Sequence, residues 1–191
     1  MERRRLERAG EQVRRRGRKK SLAREPAEPA DHALGRSKGG FGTKFHLVTD
    51  GEGTPLAVKI TAGQVSEVTQ AESVIGRALS TLMATKRQRR ERKHKPTQAA
   101  GDKGYSARRV RDWLIGRKIE PVIPHKANEK ARHDLGTWFD RAAYRGRSVI
   151  EQCIGWIKEF RRIGTRYEKL AVNFEGMLHL AMIKRYFKLL F

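Results

Sequence analysis

Four residues at fixed spacing carry the reactive side chains of one stretch, YRGRSVIEQCIGWIK: Tyr144, Arg147, Glu151 and Lys158. At about 100° per residue on a helix, they fall on one stripe roughly 60° wide. Beside it, Val149, Ile150, Cys153, Ile154, Trp156, Ile157 and Phe160 form an apolar arc. Such a helix would bury one face and hold a phenol, a guanidinium, a carboxylate and an ammonium at its edge. The same pattern also describes a plain amphipathic helix with i,i+4 charges on a solvated side. A second acid stands upstream. In TQAAGDKGY, residues 97–105, small residues suit a buried strand end, and Asp102 emerges from it into Gly104. Open α/β folds place their ligands at the C-terminal ends of strands; the plain alternative for Asp102 is a turn residue preceding a helix. Two carboxylates in a basic chain suit a hard cation such as Mg²⁺ (or Mn²⁺), which takes few ligands from protein and the rest from water and phosphate. A pair of such ions about 4 Å apart activates water or a 3′-hydroxyl and stabilises the leaving oxygen of an in-line displacement. Lys158 is then placed for the phosphate near the reacting centre, and Tyr144 and Arg147 for orienting Glu151 or binding backbone. No general-base histidine is required.

The charge names the partner class. Lys plus Arg number 43 against 21 Asp plus Glu, a net charge of +22 in 191 residues. That excess implies a polyanion, with nucleic acid first. A membrane surface is second, but no apolar run approaches the roughly 18 residues of a spanning helix. The first residues carry Arg without a following apolar segment, so no secretory signal is expected, and Glu2, Glu7 and Glu11 argue against a transit peptide. Cys153 is the only cysteine, which leaves no disulfide or thiolate cluster and fits a reducing compartment.

The elements that would position these groups follow in order. Residues 1–24 are mostly Arg and Lys and read as a disordered or loosely helical basic arm, followed by a Pro/Ala linker to Leu34. GRSKGGFG, residues 35–42, is a Gly-rich basic loop that lacks the Lys-Ser/Thr of a phosphate-cradling loop. TKFHLVTD and PLAVKIT, either side of DGEG, read as a hairpin. A lone His46 in its first strand is more often structural than a metal ligand. Ser66 is placed to cap a helix to about Thr85, with Ala71, Val74, Ile75, Ala78, Leu79 and Leu82 as its stripe. A dense basic block, 86–95, ends at Pro96. A helix is expected from Ser106 to Ile115, stopped by Gly116, and a strand over IEPVI, 119–123. That alternation implies parallel pairing. Residues 125–143 read as a loop. The key helix starts near Gly146, and Asn173 is placed to cap a last apolar helix.

These residues carry a resemblance. Tyr144, Arg147, Glu151 and Lys158 match the Y-x2-R-x3-E-x6-K signature of DDE transposases of bacterial insertion sequences, specifically the insertion-sequence-five group. FRRIGTRYEKLAVNF resembles the family's continuation, and GRSKGGFGTKFHLVTDGEGTPLAVKITAGQVSE and AGDKGY resemble its central strands and second acidic motif. The similarity runs from about Ala33 to the C-terminus. It implies an α/β, RNase H-like fold, a mixed sheet with flanking helices. It implies DNA cleavage and strand transfer on double-stranded DNA, with Asp102 and Glu151 as catalytic and metal-holding acids and two Mg²⁺ or Mn²⁺ ions in a complete site. Lys158, Tyr144 and Arg147 join them as catalytic residues. Lys38, Lys44, Lys103, Arg161, Arg162 and Arg166 are the expected DNA contacts. The implied setting is the bacterial cytoplasm at the nucleoid, with a homo-oligomer or an upstream transposase part as a further partner.

One departure matters. The family's first aspartate lies on the first strand of the fold, upstream of the Gly-rich loop, and nothing before Gly35 matches it. Asp31 falls in the linker; Asp50, the better placed of two poor substitutes, falls in the hairpin turn. The fold is therefore expected to be incomplete at its N-terminal strand, with residues 1–34 an arm and linker and 35–191 a partial catalytic domain. A truncated, misassigned or split copy is the expected origin. A catalytically inactive DNA-binding remnant is the alternative reading. A basic RNA- or ribosome-binding protein is a third, which requires the signature to be coincidence.

Overall fold

A computed structural model describes residues 5–14, 30–37, 40–84, 95–126 and 139–190, with backbone alone at 5–14, 30, 189 and 190. Its centre is one mixed sheet. β1 (Arg5–Arg14), β2 (Gly35–Ser37), β3 (Gly40–Asp50), β4 (Pro55–Ala62), β5 (Gln98–Ala100) and β6 (Glu120–Val122) run in the order β2-β3-β1-β5-β6, with β4 also paired to β3. The β3–β4 hairpin forms as its alternation predicts, turning at Asp50–Thr54, where Asp50 Oδ1 accepts from the amides of Glu52 (3.0 Å) and Thr54 (2.8 Å). β5 pairs in parallel with both β1 and β6. This is the mixed α/β sheet with flanking helices that the resemblance implied.

The N-terminal arm is a correction. Residues 5–14 form the central strand, antiparallel to β3 from Leu6↔Asp50 to Arg14↔Gly42 and parallel to β5 from Arg5↔Gln98 to Glu7↔Ala100. The boundary drawn at residue 34 therefore falls inside the domain, and the N-terminal strand is present as backbone. The physical reason is main-chain hydrogen bonding: β3 and β5 each present an edge that a central strand must satisfy, whatever side chains it brings. The chemistry expected of that strand is absent, because RLERAGEQVR contains no aspartate.

Helices cover both faces. On one, α1 (Glu67–Leu82) and α2 (Arg108–Ile115) bury Ala71, Val74, Ile75, Ala78, Val110 and Leu114 against Val48, Ala57 and Ala99. On the other, α4 (Ser148–Glu159), α5 (Arg161–Thr165) and α6 (Ala171–Leu190) bury Ile150, Cys153, Ile157, Ile163, Phe174 and Leu178 against Phe45, Leu47 and Val58. A short α3 (Arg141–Arg145) precedes α4. Each fully buried Val, Leu, Ile or Phe among them contributes about 1.5–3 kcal/mol, so the sandwich is held from both sides.

Several boundaries move. Ser66 occupies the N-cap of α1, but its hydroxyl makes no cap bond, and the helix ends at Leu82. The last helix starts at Ala171, because the Phe174 amide already bonds Leu170 O, so Asn173 lies inside it. Part of the Gly-rich loop is a tight β2–β3 pairing, with Gly40 at φ 112°. The basic block over 86–94 and most of the 125–143 segment, together with Lys38, lie outside the described residues. Among the described residues, no helix is long and apolar enough to cross a membrane.

Candidate active site

β5 is wholly buried, and the chain leaves it through Gly101 and Asp102. Asp102 then caps a 3-10 turn, Lys103–Tyr105, accepting from the Gly104 amide at 2.8 Å. Tyr105 is fully buried beneath that turn and pins it to the core. The strand-end position read from TQAAGDKGY therefore holds.

The signature is divided between two helices. Asp140 caps α3 through the Ala143 amide at 2.7 Å. Tyr144 lies on α3, Arg147 is the N-cap of α4, and Glu151 and Lys158 lie on α4. Gly146 and Arg147 keep right-handed dihedrals and the Arg147 amide bonds Tyr144 O at 3.0 Å, so the stripe survives the break. Along it the Arg147 guanidinium stands 5.5 Å from the Tyr144 ring centroid and 2.6 Å from Glu151 Oε1. Arg147 is largely buried and Glu151 is 58% exposed, so the carboxylate faces solvent while its partner is anchored. Lys158 is half-buried two turns on.

The two halves meet. Ala100, two residues before Asp102, packs with Val122 and Ala143, and Phe139 and Tyr144 close that cluster. The Phe139 and Tyr144 rings lie 5.3 Å apart. α4 in turn packs on β1 and β3. The start of the signature is thus fastened to the strand that delivers Asp102.

Other expectations fare differently. Lys103, Arg161 and Arg162 are exposed, with Arg162 also paired to Glu168 at 2.8 Å. Lys44 is 16% exposed and is spent inside the molecule, donating to Val65 O at 3.3 Å and Glu67 Oε1 at 3.1 Å. Arg166 is a correction: it is 1% exposed, donates to the carbonyls of His32, Glu168 and Lys169, and stacks on Phe174, so it ties the chain together and meets no DNA. Burial of Arg166 against the His32 carbonyl is what a sequence pattern of alternating Arg cannot report. His46 is buried and bonds Thr61 Oγ1 at 3.0 Å, a structural histidine as expected. Asp50 is occupied by its turn, and Asp31 is 67% exposed beside His32.

One acid escaped the sequence reading. Glu67 opens α1, and an acid there ordinarily reads as a complement to the helix dipole. A Cβ on Gly104 would run into Glu67 Oε2 and would stand 2.9 Å from Asp102 Oδ1, so the two carboxylates flank the same point. The signal was a glycine two residues after the acid, which could have marked close approach of another group.

The donors suit a hard cation. Asp102 and Glu67, which flank Gly104, offer carboxylate oxygens, and Mg²⁺ is usually held through one or two of these plus water and phosphate. Among the described residues, no three of His, Cys, Asp and Glu gather into a group that could hold a metal ion, and Glu151 is not brought into one with Asp102 and Glu67.

Comparison with known proteins decides the family. A model of the transposase DDE domain matches residues 12–183. The chain belongs to the transposase DDE domain family. A Burkholderia cepacia protein assigned as the transposase of insertion sequence element IS402 is 35% identical over 130 residues, 68% of this chain and 56% of that protein. The chain thus spans just over half the length of that relative. A Brucella ovis protein assigned to insertion sequence element IS6501 is 31% identical over 139 residues, 73% of this chain and 93% of that protein. Among solved structures, the catalytic domain of Mos1 mariner transposase covers 79% of this chain and 80% of that chain at 14% identity, with a TM-score of 0.41.

Proposed function

We propose that this DDE domain binds double-stranded DNA and carries two carboxylates, Asp102 and Glu151, of a transposase site that cleaves and joins DNA ends. The observation that supports it is the packing of Ala100 and Val122 on Ala143 and Tyr144, which fastens the signature helices to the Asp102 strand. Asp102 and Glu151 would hold the divalent cations, Mg²⁺ or Mn²⁺. When bound, those ions supply Lewis-acid activation of water or a 3′-hydroxyl and charge neutralisation at the leaving oxygen. Arg147 fixes the rotamer of Glu151 through their 2.6 Å pair. Lys158 meets phosphate near the reacting centre, and Lys103, Arg161 and Arg162 contact the DNA backbone. A second copy or an upstream transposase part joins the assembly, at the nucleoid.

A second reading is favoured by one fact. The central strand supplies no aspartate, and its register puts Ala9 two residues beyond the Glu7↔Ala100 pair, level with Asp102. A DNA-binding domain without cleavage follows if that carboxylate is indispensable. The purified chain, incubated with Mg²⁺ or Mn²⁺ and a plasmid carrying the DNA that flanks its gene, separates the two. Nicking that Asp102→Ala and Glu151→Ala abolish supports the first reading. Binding without nicking in any metal supports the second. Equal affinity for structured RNA and for that DNA would count against both.

A further inference from the structure

Glu67 is 21% exposed at the first position of α1, and Lys44 is the cation it touches. Lys44 engages only Oε1, from a position fixed by its second bond to Val65 O. The other oxygen, Oε2, is turned toward Gly104, where Asp102 Oδ1 also arrives. α1 packs directly on the 3-10 turn that follows Asp102, so this approach is built by two elements. Two carboxylates and one ammonium meet in this partly buried corner. Like charges this close are unfavourable unless a cation joins them. Glycine at 104 is what permits the arrangement, since any side chain would occupy the space between the oxygens.

We propose that Glu67, positioned by Lys44, is a further carboxylate of the Asp102 site and faces the same divalent cation. This rests on reading Asp102 as a cation-holding residue. Lys44 is then a positioning residue.

The test is Mn²⁺ binding to the full chain, read from the electron paramagnetic resonance signal of free Mn²⁺, with thermal melting and binding of a short duplex measured in parallel. Glu67→Gln keeps the shape and the Lys44 hydrogen bond, so a purely structural Glu67 would leave Mn²⁺ affinity unchanged. The expected result is a loss of about tenfold in affinity, the scale of removing one metal-supporting group, with duplex binding retained. Gly104→Ala, whose methyl pushes the two carboxylates apart, is expected to weaken Mn²⁺ to a similar degree. Wild-type Mn²⁺ affinity in both variants, with Asp102→Asn deficient, would overturn the role of Glu67 and leave Asp102 standing. Absence of Mn²⁺ binding in the wild type, or no effect of Asp102→Asn, would remove the reading of Asp102 and this inference with it.

Discussion

At the scale of single residues, burial reverses two ordinary expectations. Cys153 sits against Phe45 and Leu47 under α4, and burial pushes its thiol from the usual 9.0 up to about 11, with Arg185 lowering it and Asp50 raising it. Between those values an unfolded chain releases the proton while the folded one keeps it. Cys153 therefore contributes stability below about pH 9 that drains away as the pH climbs through 11. Tyr186, also raised by burial and by Asp50, acts in the same direction. Urea titrations from pH 8 to 11 should show stability falling, less steeply in Cys153→Ala, and thiol reagents should modify the native protein slowly. Arg166 makes the second case. Replacing it with Met removes donors to three carbonyls and is expected to cost about 3 kcal/mol or more. Thermal melting reads that loss, while the salt dependence of DNA binding stays as it was. The shared stripe of Tyr144, Arg147 and Glu151 was legible in the sequence because helical spacing encodes geometry directly. The internal bonds of Arg166 and Lys44 were not legible, because a basic side chain spells the same letters whether it meets phosphate, a carboxylate or a carbonyl.

At the scale of elements, periodicity located the hairpin, α1, α2, α4 and β6 to within a few residues. Those segments bury one face, and burial writes itself into the order of apolar residues. β1 left no such trace. Its hydrogen bonds are supplied by β3 and β5, and main-chain pairing needs no particular side chain. The break between α3 and α4 was equally hidden, since Gly146 and Arg147 keep helical dihedrals. The reassignment of residues 5–14 has a direct check. Deleting residues 1–14 would leave a loose-arm protein intact. With β1 central, the deletion bares two strand edges, and the product is expected to be insoluble or to lose its cooperative melt.

At the scale of the whole molecule, the charge of +22 predicts how the proposed DNA binding responds to salt. Affinity for duplex DNA should fall steeply between low and moderate salt, since each phosphate neutralised adds about 0.9 to the slope of log K against log salt. The double variant Arg161→Ala/Arg162→Ala is expected to lower that slope by roughly one to two units, measured by fluorescence anisotropy. An unchanged slope would remove these arginines from the DNA surface. The position of β1 also has a temporal side. As the chain leaves the ribosome, β3, β4 and α1 emerge soon after β1 and pair locally. The far edge of β1 has to wait until Gln98–Ala100 is made, and only then does Asp102 reach its place. For that interval the nascent domain carries an open strand edge, and a stalled or prematurely ended chain would keep it: such products are expected to engage chaperones or aggregate.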